Sequence, residues 1–176
     1  RDRIGQITLA VGSFSTEWRD LARSFVEAEI STQYSYVNDA GRLLYYPEIP
    51  QVKALDERYY SPSRLYALRD YVRQCDVEGF RSVLRDVRSD AASNPYHLSM
   101  VRALAFDLKN TFYLGLKKLE RTEAVPDSVY TELETLRDAD TFAAFCDRLV
   151  DILCRLRVLV ARNQERGSDT AHRYTS

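Results

Sequence analysis

Three cysteines and two histidines are the side chains with the widest chemical range in this chain of 176 residues. Cys75, Cys146 and Cys154 form no CxxC pair, and an odd number argues against a disulfide framework or a zinc site. Cys146 and Cys154 are eight residues apart, which places them on one face of a helix as small buried hydrophobes. They are predicted to be core thiols in a reducing compartment. His97 and His172 lie far apart without an HExxH pattern, so no metal site is predicted.

Acidic residues supply the other candidate chemistry. Glu132, Glu134, Asp138 and Asp140 form an acidic patch, and we interpret it as charges that complement a helix dipole on a solvated face. The sequence contains neither a GxGxxG nor a Walker pattern. Phosphoryl chemistry needs metal-held phosphates and positioned carboxylates, and no such constellation is visible. We therefore expect no enzymatic activity, no catalytic residue, no cofactor and no bound metal.

The charge balance bears on the expected partners. Lys and Arg total 25 against 26 Asp and Glu, which gives a net charge of -1 and a pI of about 6.2. Such a balance gives no electrostatic reason to expect direct contact with nucleic acid or an anionic membrane. The most apolar stretch, 149–161, is interrupted by Asp151, Arg155 and Arg157 and is too short to span a bilayer.

The elements that must position these side chains begin with a β-α-β pattern. Residues 7–12 are rich in Ile, Leu and Val and end at a glycine, which suits a buried strand. Apolar residues at helical spacing predict a helix over 16–37, and Gly41 is its expected C-cap. A second strand is predicted over 42–46. Residues 1–46 are therefore expected to form one unit, and 47–60 a connector.

The remaining sequence predicts only helices. Ser61 with Pro62, Asp76, and Asn94 with Pro95 are start signals, because these residues favour the first positions of a helix. Gly167 is the expected end of the last helix. The expected fold class is mainly α, a helical bundle over 61–166 preceded by a short β-α-β remnant of an α/β domain, with 167–176 as a linker or tail. The predicted helices cover 61–75, 76–89, 95–119, 127–136 and 140–164, and the two long ones, 95–119 and 140–164, carry apolar residues at steps of three and four.

The last of these helices carries a candidate interaction face. Its main apolar stripe includes Leu149 and Leu156, and Leu153, Val158 and Val160 lie beside that stripe. The apolar face is thus wider than one partner helix needs. We expect this surplus face to pack against a second copy of the chain or a neighbouring domain. A charge at Val160 is accordingly expected to leave the fold intact.

The first unit also resembles a known family. The stretch "ITLAVGSFSTEWRDLARSFVEAEISTQYSYVNDAGRLLYY" resembles the C-terminal end of a GGDEF-type nucleotide cyclase domain, with a strand ending in Gly12 and a turn at Gly41-Arg42. It is more similar to the degenerate GGDEF-like domains of AraC-type bacterial transcription regulators, through the Ser-aromatic-x-x-Ala pattern at 24–28. Residues 61–87 and 100–116 are similar to the helical region that follows in those regulators.

The resemblance implies a non-catalytic regulatory segment. It would couple a sensory input upstream to a helix-turn-helix DNA-binding domain, which is expected to begin about where this sequence stops at Ser176. DNA would be contacted only through that domain, and the partners would be a second copy or neighbouring domains of the same regulator. The segment would be cytoplasmic, in a response regulator or in the cytoplasmic part of a membrane-anchored sensor. The signature loop of active cyclases and its metal-binding acids are absent, so no catalytic residue carries over.

Two other functions remain open from the sequence. One is a nucleotide-cyclase-like remnant that still binds GTP. The other is a free-standing helical scaffold whose grooves accept partner helices. A GGDEF loop before residue 1 favours the first, and true chain termini favour the second.

Overall fold

A computed structural model of the chain describes residues 7–37, 43–49, 62–93, 98–136, 139 and 141–173. Within them the chain is mainly helical, with a small two-stranded parallel sheet. Below, residues 7–49 are the N-terminal block and residues 62–173 are the helical unit. The strands are β1 (Leu9–Val11) and β2 (Leu43–Tyr45), and the helices are α1 (Leu21–Gln33), α2 (Pro62–Gln74), α3 (Val77–Ser93), α4 (Leu98–Leu119), α5 (Asp127–Thr135) and α6 (Phe142–Arg173).

In the N-terminal block, α1 connects the two parallel strands and packs against both. Leu9 pairs with Leu43, and the register continues through the following two residues of each strand. The helix predicted over 16–37 is present over 18–36, with α1 as its α-helical part and a 3-10 turn directly at each end. Gly12 lies directly against the backbone of Ser24, where a Cβ atom would overlap the Ser24 carbonyl oxygen. Gly41 and most of the predicted connector lie outside the described residues.

The helical unit begins with a tight α2–α3 turn. Asp76 caps α3 as predicted, since its Oδ1 accepts a hydrogen bond of 3.0 Å from the Gly79 backbone N–H. Cys75 adopts a positive φ of 52° just before it, a conformation that reverses the chain after a helix. The predicted start signals at Ser61 and Asn94 lie outside the described residues.

The core of the helical unit is continuous. α2 packs along α4 so closely that a Cβ atom on Gly115 would lie 2.6 Å from the Val72 Cβ. Phe80 of α3 and Phe112 of α4 meet edge to face, with ring centroids 5.5 Å apart. One connected cluster of buried apolar side chains runs through α2 to α6. The side chains of this cluster pack against the buried face of α6.

The end of α6 differs from the prediction. Gly167 was expected to end the last helix, but α6 continues through it to Arg173. Glycine costs about 1 kcal/mol in a helix interior relative to alanine, a cost that the rest of a long helix offsets. Among the described helices, none combines the length and the apolar composition needed to cross a membrane.

Candidate functional site

The three residues of the predicted interaction face do not lie on one surface. Leu153 is 0% exposed and Val160 is 8% exposed, and both belong to the core cluster of the helical unit. Val158 is 50% exposed. The structure therefore separates Val158 from the other two, and a charge at Val160 is no longer expected to leave the fold intact.

The physical reason is the number of helices that pack on α6. The prediction assigned α6 one partner, and the apolar width beyond one seam was treated as surplus. In the structure α6 contacts α3, α4 and α5. Leu153 and Val160 continue the three-four progression from Leu149 and Leu156, so they fill the space between these neighbours. The extra width serves the chain's own core.

The start of α6 receives a contact from the N-terminal block. Thr141 caps the helix, with its Oγ1 accepting a 3.0 Å hydrogen bond from the Ala144 backbone N–H. The ring of Tyr36, at the end of the N-terminal block's helical segment, lies against Phe142 with centroids 6.5 Å apart. Val37 also packs on the core cluster. Burial raises the pKa of Tyr36, as expected for a phenol packed at a junction.

The other end of α6 leaves the core. Val160 is buried, and residues 161–165 are exposed. Gln164 still donates a 2.8 Å hydrogen bond from Nε2 to Glu123 Oε1 in the α4–α5 loop. The helical backbone then continues to Arg173. With 32 residues, α6 is roughly 48 Å long, because each helical residue rises about 1.5 Å.

The N-terminal block presents a large exposed apolar surface. Phe14 and Trp18 are 84% and 79% exposed. One face of the sheet is open as well, since its residues Leu9, Val11 and Leu43 are exposed while Leu44 is buried. Within the described residues each strand has one neighbour only, so each has an unpaired edge. Apolar patches of this kind mark interaction sites in soluble proteins.

Two of the three cysteines, Cys75 and Cys146, are buried, and Cys154 is partly buried. All three cysteines are free, and burial raises the pKa of Cys146 to about 12 and that of Cys75 above its usual value. A thiol with a raised pKa is a poor nucleophile at neutral pH. Among the described residues, no group of three or more His, Cys, Asp or Glu side chains could hold a metal ion. His97 lies outside the described residues, and His172 falls within α6.

Part of the predicted acidic patch forms ion pairs between helices. Glu134 of α5 pairs with Lys109 of α4 at 2.8 Å, and Glu132 pairs with Arg155 of α6. Asp138 and Asp140 lie outside the described residues. The two glutamates thus connect α5 to its neighbours on the surface.

Sequence reasoning missed Tyr36 as a functional candidate. Its available signal was the apolar pair Tyr36-Val37 at the end of a helix that otherwise becomes polar.

Comparison with models of protein families, with curated proteins and with solved structures gives no match to this chain.

Proposed function

We propose that the chain is a non-catalytic coupling segment of an AraC-type transcription regulator. In this proposal the N-terminal block belongs to a degenerate GGDEF-like domain that receives an input. The helical unit passes that input to a DNA-binding domain following α6, and DNA is contacted through that domain alone. The segment acts in the cytoplasm and uses no cofactor. The proposal joins the family resemblance of residues 7–46, 61–87 and 100–116 to the geometry of α6.

The observation that carries the proposal is that α6 contacts the N-terminal block at its start and extends past the buried core near its end. Its first residue, Phe142, touches Tyr36 of the N-terminal block, and residues 161–165, which follow the buried Val160, are exposed. A continuous helix moves nearly as a rigid rod, because its backbone hydrogen bonds resist bending. A displacement at Phe142 would therefore be carried to Arg173. Helix shifts of 1–2 Å at interfaces are an established means of switching between states.

The exposed apolar surface of the N-terminal block supports the same proposal. Two three-residue strands are too small to be stable alone in water. Further strands and helices of an α/β domain would cover the open sheet face and the exposed Phe14 and Trp18. A domain of this kind is what the resemblance to GGDEF-like domains implies.

The test of this proposal changes the rotational phase of α6 beyond the core. In the full-length regulator, two alanines inserted after Arg166 would rotate everything downstream by about 200°, and seven would rotate it by about 700°, within about 20° of two full turns. If α6 transmits the input, the two-residue insertion abolishes regulated transcription from a reporter. The seven-residue insertion restores most of the response.

The insertions are placed where they should alter signalling without affecting folding. Residues 161–165 are exposed, so both variants should keep the parent's thermal unfolding midpoint. Equal responses from the two insertions, with both proteins folded, would contradict transmission through the helix. A reading frame that encodes no helix-turn-helix after Ser176 would contradict the family assignment.

Two binding measurements test the non-catalytic part of the proposal. Calorimetric titration of the chain with GTP and magnesium should give no binding heat, and a low micromolar dissociation constant would favour the cyclase remnant instead. A duplex DNA shift assay at physiological salt should also be blank, because DNA affinity comes largely from neutralised phosphates and this chain is nearly neutral.

A further inference from the structure

An open groove lies between α3 and α6, on the helical unit. Its volume is about 360 Å³, within the lower part of the range for small-molecule sites, roughly 300–1,000 Å³. The α3 side carries three arginines, Arg81, Arg85 and Arg88, at helical steps of four and three. The α6 side carries Asp147 and Asp151. The three guanidinium groups therefore follow one another along one wall.

The three arginines differ in their partners. Arg88 Nη1 lies 3.3 Å from Asp147 Oδ1 across the groove, and Arg81 Nη1 lies 2.8 Å from Glu78 Oε1 on its own helix. Arg85 has no ion-pair partner among the residues that the structure describes. Like charges four residues apart on a helix repel each other. An anion at Arg85 would offset that repulsion, and a guanidinium binds carboxylate or phosphate oxygens through two parallel hydrogen bonds.

The floor of the groove is apolar. Leu84 and Cys146 are buried there, and Val150 is half-buried beside them. The Cys146 thiol stays protonated at neutral pH, because burial raises its pKa to about 12. The floor therefore adds no charge of its own. It suits the hydrocarbon part of a ligand whose charged group reaches the arginine wall.

We propose that this groove binds a small organic anion, with a carboxylate or phosphate head on Arg85 and a compact apolar body on the floor. Arg81 and Arg88 flank the head, each already paired with a carboxylate, so Arg85 is the arginine whose charge is left for the anion. Asp151, on the opposite wall, opposes the binding of an anion by charge repulsion. A ligand seated here touches α3 and α6 together. It thereby biases the position of α6, and this regulatory consequence alone rests on the proposed coupling function.

The binding test uses phenyl phosphate as the probe for the head and body together. Amide chemical shifts of the whole chain are followed by NMR during titrations with phenyl phosphate, benzoate, inorganic phosphate and phenol. Phenyl phosphate should bind most tightly, with shifts in α3 and α6, because it engages both the arginine wall and the floor. Phenol, which lacks the charge, should bind at least tenfold more weakly. Benzoate distinguishes a carboxylate site from one that requires phosphate.

Three variants locate the site. Arg85→Gln should weaken phenyl phosphate binding at least tenfold. Arg162→Gln is the matched control, because it removes an exposed arginine of α6 outside the groove and should leave the affinity unchanged. Asp151→Asn should strengthen binding severalfold, since it removes a negative charge from the opposite wall. Circular dichroism confirms that each variant stays folded.

Several outcomes overturn the proposal. The first is an absence of saturable shifts with phenyl phosphate and benzoate at millimolar concentrations. Equal losses in Arg85→Gln and Arg162→Gln would indicate non-specific attraction to surface arginines. An unchanged or weaker affinity in Asp151→Asn would place the anion outside the groove. Saturable binding with all three variant effects supports it.

Discussion

The N-terminal block exposes most of its large apolar side chains, whereas the helical unit buries most of its own. In the helical unit, residues such as Phe112 and Leu153 are almost fully buried in one cluster. In the N-terminal block, Phe14, Trp18 and Phe25 are between 71% and 84% exposed. Both regions belong to one chain of ordinary composition. The difference therefore lies in how many helices and strands pack around the core of each region.

The number of elements that pack together in each region explains the difference. The helical unit surrounds α6 with three other helices, so most of its large apolar side chains are buried, although Phe106 and Val158 remain 63% and 50% exposed. The N-terminal block has one helix on one face of a two-stranded sheet, which leaves the second sheet face and the outer side of α1 open. A region that consists of one short helix on a two-stranded sheet depends on further partners for its stability. The helical unit should be stable without them.

The largest expected contrast comes from removing one large apolar side chain from each region. Leu153→Ala should lower the free energy of unfolding by about 2–5 kcal/mol, since it leaves a cavity in a fully buried site. Phe25→Ala should change it by less than about 0.5 kcal/mol, because the Phe25 ring is already 71% exposed. Urea denaturation of both variants measures the two values. A loss of similar size in both would mean that the two regions share one core.

The next contrast comes from replacing glycine with alanine at two positions, one in each region, where the glycine lies against a neighbouring element. Gly115→Ala should destabilise the helical unit by about 1–3 kcal/mol, because the new methyl group meets Val72 and forces α2 and α4 apart. Gly12→Ala forces a closer clash, because the new methyl group would overlap the Ser24 backbone carbonyl oxygen, so it should displace β1 locally. The thermal midpoint of the helical unit should be unchanged in Gly12→Ala.

Amide hydrogen exchange measures, residue by residue, how far each glycine substitution destabilises the structure. In Gly12→Ala the faster exchange should be confined to the N-terminal block. In Gly115→Ala it should extend through α2 and α4. Global loss of protection in Gly12→Ala would show that the N-terminal block supports the helical unit.

The sequence predicted helix positions well where the local chemistry was strong. Asp76 was expected to cap a helix, and its carboxylate accepts the Gly79 N–H as that role requires. The Cys146 thiol was expected in the core and is buried there. Apolar residues three and four apart identify a buried helix face because that spacing is a property of the helix itself.

The interaction face on α6 could not be predicted in the same way. Periodicity indicates that Leu153 and Val160 lie near an apolar stripe, but it carries no information on how many helices pack there. That number depends on tertiary arrangement, and here three neighbours cover the face. The end of α6 was misplaced for a related reason. A glycine such as Gly167 ends a helix only when the chain gains more from turning than from continuing.

The contact between the two regions should have a smaller effect than either core. Tyr36→Ala removes the ring that lies on Phe142, and the expected cost is about 0.5–1.5 kcal/mol for the lost aromatic pair, in addition to the lost burial of the half-buried ring. Hydrogen exchange should rise in α1 and at the start of α6, while α2 and α4 keep their protection. Trp18→Ala is the control, because this exposed ring contacts neither region's core and its loss should change nothing. Similar exchange patterns in both variants would show that Tyr36 does not stabilise the contact between the two regions.

The smallest effect concerns the acid sensitivity of the N-terminal block. Hydrogen bonds from Ser13 hold the pKa of Glu27 below its ordinary 4.5, and the backbone N–H of Ser13 donates one of them at 2.8 Å, with Arg23 adding a weaker attraction. A carboxyl with a lowered pKa in the folded state stabilises that state above its ordinary pKa, and the contribution is lost as the pH falls through the lowered value.

The Ser13 amide should therefore lose its protection from exchange below pH 4.5, while the amides of α4 remain protected. Ser13→Ala should raise the pKa of Glu27 towards 4.5 by removing the hydroxyl, the largest of the effects that lower it, and an NMR titration of the side-chain carboxyl measures the change. Glu27→Gln serves as the control because it removes the titrating group, so the acid-dependent step at Ser13 should disappear. If that step persists in Glu27→Gln, another group controls it. If α4 opens together with Ser13, the two regions unfold as one unit and the contrast between them does not extend to acid.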